Sequence, residues 1–168
     1  MKSDEVNKGF EEIYEMYKNS TLRTCYMILK DYQLAEDATQ EVFIKVYCKL
    51  HTFRFESDIK TWITRIAINV CKSKMRTRSY SETVNSEVVT IHSISNTEDK
   101  PENRLILSEA VMNLPRDLRE ITVLFYYQEF RQKEIAKILK IPETTVAYRL
   151  RKAKEQLKTS IKEELLYE

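Results

Sequence analysis

A chain of 168 residues with one glycine and three prolines has little from which to build tight turns. Hairpins rely on glycine for positive φ, so a composition this poor in glycine argues against a sheet built from many short strands. The apolar residues agree, because most recur at spacings of three and four, the period of a helix, rather than at two. An all-α fold is expected. The length suits one domain or two small ones. No apolar run approaches the ~18 residues of a membrane span, and no charged-then-apolar leader opens the chain. These features predict a soluble cytoplasmic protein without direct membrane insertion.

The three cysteines, Cys25, Cys48 and Cys71, are odd in number and far apart in sequence, which suits a reducing compartment rather than a disulfide framework. Cys48 and His51 stand at a metal-like spacing, but no second pair accompanies them, so no metal and no cofactor is expected. No glycine-rich phosphate loop and no nucleophile–base motif is visible, so an enzyme is not expected.

The net charge is only +2, yet it is unevenly spread. Residues 1–58 carry eight basic and eleven acidic side chains, whereas 61–78 carry five basic residues and no acid. Residues 79–101 return to a net −3, and residues 131–162 reach +7. Two basic blocks separated by acidic material predict two contact patches on one polyanion.

Helical patterning divides the chain in two. In the first half, one helix is predicted over 4–30 with Val6, Phe10, Ile13, Tyr14 and Tyr17 inward. A second runs from about Leu34 to Leu50, with Asp31 near its start and Ala35, Ala38, Val42, Val46 and Leu50 on one side. "HTFRFESD", His51 to Asp58, reads as an ordered loop, and a third helix covers Ile59 to Arg78. Residues 79–101 are polar, acidic, rich in Ser and Thr and without helical period, which is the composition of a flexible linker. The predicted layout is therefore a domain over 1–78, a linker over 79–101 and a domain over 102–168.

The second half begins with a helix from about Glu102 to Asn113, followed after Leu114–Pro115 by one carrying Leu118, Ile121, Leu124 and Phe125. A short helix over Gln132 to Leu139 then stops at "KIP", and Pro142 introduces the last helix. On that helix Val146, Leu150, Ala153 and Leu157 fall within a ~60° arc, while Thr144, Ala147, Tyr148, Arg151 and Lys152 lie opposite. A short bracing helix, a tight turn and a helix with hydroxyls near its N-terminus form a helix-turn-helix pattern, whose second helix enters a DNA major groove. Arg149, Arg151, Lys152 and Lys154 can neutralise phosphates, and an arginine can grip guanine.

The third helix of the first half carries the other basic block. Arg65, Asn69, Lys72 and Arg76 share one narrow face with Trp62 at its edge, and Ile63, Ile66, Ala67 and Val70 lie opposite. Cations, an amide and an indole together suit unpaired nucleic acid, and Phe53 and Phe55 upstream could shape a pocket for an extruded base.

Two stretches carry a family resemblance. "AEDATQEVFIKVYCKLHTFRFESDIKTWITRIAINVCKSKMR", Ala35 to Arg76, resembles the promoter-melting domain of bacterial sigma-70 family factors of the extracytoplasmic-function (ECF) group. "LPRDLREITVLFYYQEFRQKEIAKILKIPETTVAYRLRKAKEQL", Leu114 to Leu157, resembles their −35-reading domain. The resemblance implies a sigma-2-like bundle and a sigma-4-like helix-turn-helix domain with distinct tasks. Asp37, Gln40, Glu41 and Phe43 would dock on the β′ clamp of core RNA polymerase, and the second domain would reach the β flap. Phe53, Arg54, Phe55, Glu56, Ser57, Asp58, Trp62, Arg65, Asn69, Lys72 and Arg76 would hold the melted −10 element. Glu143, Thr144, Thr145, Ala147, Tyr148, Arg149, Arg151 and Lys152 would read the −35 duplex. The acidic linker would thread the basic channels of the polymerase.

The chain departs from the family pattern at Phe55, where glycine is frequent. It also departs at Ala147 and Tyr148, which replace a usual cation and a usual small hydroxyl, so Tyr148 is the candidate cause of an unusual −35 sequence. Nothing follows Glu168, so no fused regulatory domain is expected. The implied function is promoter-specific transcription initiation, in a stress or envelope response under an anti-sigma factor that could hold the protein at the membrane. The competing reading is a stand-alone dimeric helix-turn-helix regulator, which predicts a palindromic site and tight binding without polymerase.

Overall fold

The structure, a computed structural model, describes residues 2–54, 56–78 and 101–166. All regular secondary structure among them is helical. The linker expected over 79–101 falls almost entirely outside the described residues, as does Phe55. The chain separates into two compact units. The first contains α1 (Lys2–Leu29), α2 (Tyr32–Lys49) and α3 (Ile59–Arg78), and the second is built on α4 (Pro101–Asn113), α5 (Arg116–Thr122) and α7 (Glu143–Leu166). Between α5 and α7 the chain forms α6 (Gln132–Leu139).

In the first unit each helix packs against the other two. The reversal from α1 to α2 takes two residues. Lys30 adopts the left-handed conformation (φ 60°) and its N–H returns to the Tyr26 carbonyl at 2.8 Å. This is the position that glycine fills most cheaply, and the chain's single glycine lies instead inside α1. Asp31 then caps α2, its Oδ1 accepting the Leu34 N–H at 2.8 Å.

The core is not centred where the spacing along α1 predicts. Cys25, Tyr26, Met27, Ile28 and Leu29 are all buried, whereas Tyr14 remains exposed and Phe10, Ile13 and Tyr17 are half-buried. The side chain of Val6 lies outside the described residues. A helix flanked on two sides loses its single apolar stripe, and the C-terminal part of α1 buries nearly every position. Ala35, Ala38, Val42 and Val46 of α2 and Ile63, Ala67, Ile68, Val70 and Cys71 of α3 complete this core.

In the second unit α7 packs on α4 and α5. Leu114, Leu118 and Ala153 form one buried cluster, with Leu157 against it. The seam on Val146, Leu150, Ala153 and Leu157 is therefore the packed side of α7. The corner between α4 and α5 is tied by Arg119. One guanidinium nitrogen donates to the carbonyls of Met112 (3.2 Å) and Leu114 (2.9 Å), which have no helical partner ahead of them. Past Thr122 the helix widens into a π turn over Val123–Tyr127, and the Gln128 N–H reaches back five residues to the Val123 carbonyl at 3.1 Å. Glu129 then takes φ 59° and ends the helix.

Candidate nucleic-acid interfaces

The helix-turn-helix element is assembled from backbone caps. The Arg131 N–H donates to Glu134 Oε2 at 2.8 Å, the backward half of a capping box that starts α6. The helix stops at Lys140 (φ 56°), with the Ile141 N–H on the Ala136 carbonyl at 3.1 Å. Pro142 then offers its carbonyl to the N–H groups of Thr145 and Val146, and α7 begins. Only Lys140, Ile141 and Pro142 intervene between the two helices.

On α7 the buried seam leaves the opposite arc open. Glu143, Thr144, Ala147, Tyr148, Arg151 and Lys152 are exposed, whereas Thr145 and Arg149 are half-buried. Arg149 turns aside: its Nε lies 3.4 Å from Asp117 Oδ2 at the start of α5. Arg151 instead places its guanidinium over the Tyr148 ring, 5.6 Å from the centroid.

The second cationic face lies on α3. Its buried residues occupy one side, and Arg65, Asn69, Lys72 and Arg76 share the other, with Asn69 and Arg76 exposed and Arg65 and Lys72 half-buried. Trp62 packs at the edge against Phe53, their ring centroids 4.9 Å apart. The half-buried pair forms an aromatic ledge beside the cations. Arg54, Glu56 and Asp58 of the preceding loop are exposed and Ser57 is half-buried. Asp58 also starts α3, its carbonyl accepting the Trp62 N–H at 3.1 Å.

The acidic helix α2 is sorted differently from the sequence expectation. Asp37 and Gln40 are exposed. Phe43 is only 4% exposed, with its ring edge-on to Tyr14 at 4.9 Å and to Phe10 at 6.5 Å. Phe43 therefore holds α2 to α1 and presents no surface to a partner, which corrects its assignment as a docking residue. Glu41 is occupied as well, bridging Lys45 (2.7 Å) and Lys74 of α3 (3.3 Å). The hydrogen bond from Lys45, with that from Lys74 behind it, holds the Glu41 carboxyl below its ordinary range against a partial desolvation.

Sequence reasoning overlooked Ile44, 64% exposed, and Tyr47, also exposed, on the face that carries Asp37 and Gln40. The signal was present in the spacing 37, 40, 44 and 47, which runs along one side of a helix. Cys25 and Cys71 come from α1 and α3 and meet in the core, and the hydrogen bond with Cys71 draws the Cys25 thiol down while burial opposes it.

Two cationic faces with the aromatic ledge on one and the helix-turn-helix on the other can be set against known proteins. Residues 13–80 match the family model of sigma-70 region 2, and residues 104–157 match that of sigma-70 region 4. The ECF RNA polymerase sigma-E factor of Haemophilus influenzae is 30% identical, over 92% of this chain and 88% of its own.

The chain belongs to the ECF sigma factors.

The ECF RNA polymerase sigma factor SigW of Bacillus subtilis is 29% identical to this sigma factor, over 95% of this chain and 94% of its own. Among solved structures, the sigma factor RpoE of Bartonella quintana, crystallised with the anti-sigma factor NepR, shares the fold with a TM-score of 0.77. It is 24% identical, and the match covers 92% of this chain and 98% of that one. Both sigma regions stand in one chain and in order, so the reading as a stand-alone dimeric regulator is not favoured. No described helix is long and apolar enough to cross a membrane.

Proposed function

We propose that the three exposed faces divide the work of initiation. The arc of α7 centred on Thr144, Ala147, Tyr148, Arg151 and Lys152 reads −35 duplex in the major groove. The α3 face of Arg65, Asn69, Lys72 and Arg76, with the Phe53–Trp62 ledge and the loop residues Arg54, Glu56, Ser57 and Asp58, holds the unpaired −10 strand. Cations follow the backbone there, and aromatic groups receive bases. Asp37 and Gln40, joined by Ile44 and Tyr47, meet the β′ clamp of core polymerase, while the second unit reaches the β flap.

The observation that carries this reading is the exposure of two basic faces on two separate units, each opposite a buried seam. A cation stripe that merely solubilised the fold would not need an indole ledge on one helix and a helix-turn-helix on the other. The relative from Bartonella quintana was solved bound to an anti-sigma factor. By analogy this sigma factor works in the cytoplasm under an anti-sigma protein that covers the same faces, in a stress or envelope response.

Run-off transcription tests the proposal. Core polymerase supplied with this chain should initiate from a subset of genomic fragments that share a two-part site of fixed spacing. Charge reversal at Arg65, Lys72 and Arg76 should weaken permanganate reactivity of the melted region more than association with core. Normal permanganate footprints in that variant would remove the α3 assignment. Tight binding of a palindrome by the chain alone would restore the competing reading.

A further inference from the structure

Three cations lie in the first three turns of α7, and the structure treats each differently. Arg149 is half-buried and committed to Asp117, so it sets α7 on α5 and acts as a positioning residue. Lys152 is exposed, a compact charge suited to phosphate. Arg151 is exposed and held over Tyr148, whose own side is open at 51%. It is therefore the arginine that this arc has to offer a base.

A free arginine loses much of its rotamer freedom when it is fixed in a groove. A guanidinium already held over a ring has lost part of that freedom before DNA arrives. The contact uses the ring face and leaves Arg151 the N–H fork that matches O6 and N7 of guanine. The same ring is a flat apolar surface for the C5-methyl of a neighbouring thymine. Ala147 and Thr144 occupy the same arc with short side chains, so neither crowds the pair.

We propose that Tyr148 and Arg151 act as one reading unit that selects a guanine and an adjacent thymine within the −35 duplex. The inference rests on the assignment of α7 to the −35 element, and it names the bases that element contains. Arg151 takes the guanine edge, and Tyr148 both aims Arg151 and covers the thymine methyl.

The test uses the full chain with core polymerase and a promoter library randomised at −35. The wild type should select a guanine. Replacing that guanine by 7-deazaguanine, which removes N7 and leaves O6, should lower initiation about tenfold, less than the loss of a whole bidentate contact. Replacing the neighbouring thymine by deoxyuridine should lower it by a smaller factor. Arg151→Lys should lose the guanine preference, because an ammonium has no planar fork. Tyr148→Ala should weaken the response to both analogues, and Tyr148→Phe, which keeps the ring, should retain both. Arg151→Lys with an unchanged 7-deazaguanine response, or Tyr148→Ala with a guanine response as strong as wild type, overturns the unit. Initiation without any preferred guanine also overturns it while leaving the sigma-factor reading standing. Failure of the wild type to initiate at all defeats both.

Discussion

Arg119 offers the sharpest test of how the second unit holds its corner. Its side chain is 8% exposed, and it closes two carbonyls at the end of α4, those of Met112 and Leu114. Burial lowers its pKa from the ordinary arginine value, the mark of a cation that has given up water for protein partners. Replacing it by methionine keeps a long apolar stem and removes both hydrogen bonds. Hydrogen bonds to a charged group contribute about 1.5–3 kcal/mol each, and two carbonyls left buried add to the loss. Against this stands the relief of a desolvated charge, which in other buried pairs offsets much of the gain. The net expectation is a loss of about 2–3 kcal/mol.

For a unit of this size each kcal/mol moves the midpoint by about 4–8 °C, so Arg119→Met should lower it by roughly 10–20 °C. The chain has one tryptophan, Trp62, in the first unit. Its fluorescence therefore reports the first unit, while circular dichroism follows helix loss in both. The dichroism transition of the second unit should fall and the Trp62 transition should stay in place. Arg119→Lys, with a charge but no fork, should recover less than half of the loss. A midpoint lowered by under 3 °C in the methionine variant would refute the capping argument.

Other expectations are simpler to state. Phe43→Ala should cost about 3–5 kcal/mol in the first unit, read by the urea midpoint of Trp62 fluorescence, because a buried ring leaves a cavity. Ile44→Ala should leave that midpoint nearly unchanged and weaken the association with core polymerase; a large loss of stability there would show that Ile44 is core. Glu41→Gln should cost under about 1 kcal/mol, since the Glu41 carboxylate is partly solvated. The sign with pH follows from the lowered pKa: the contribution is present above the ordinary glutamate range and disappears as pH falls through the depressed value. The wild-type and glutamine curves should therefore converge in acid, and a constant gap would deny the ion pairs. A thiol reagent applied to the native protein should label Cys48 rapidly, with Cys25 and Cys71 reacting only on unfolding, as read by mass.

Composition and helical period settle the fold class and the extent of two helices. A chain with a single glycine and a three-and-four period is pushed to helices, and α3 and α6 stand where the pattern placed them, at Ile59–Arg78 and Gln132–Leu139. The outward faces of α3 and α7 were equally legible, because a helix's angular positions follow from residue numbers alone. The departures all lie where a second element decides. Phe43 and Ile44 are neighbours on one helix, and only the presence of α1 makes the first a core residue and leaves the second open. Glu41 and Asp37 are both acids on α2, yet Lys74 of α3 reaches Glu41. Arg149 and Arg151 are both arginines on α7, and Asp117 of α5 draws in the one while Tyr148 carries the other. A helical period encodes which residues share a side, whereas which side is covered, and by what, depends on contacts between segments distant in the chain.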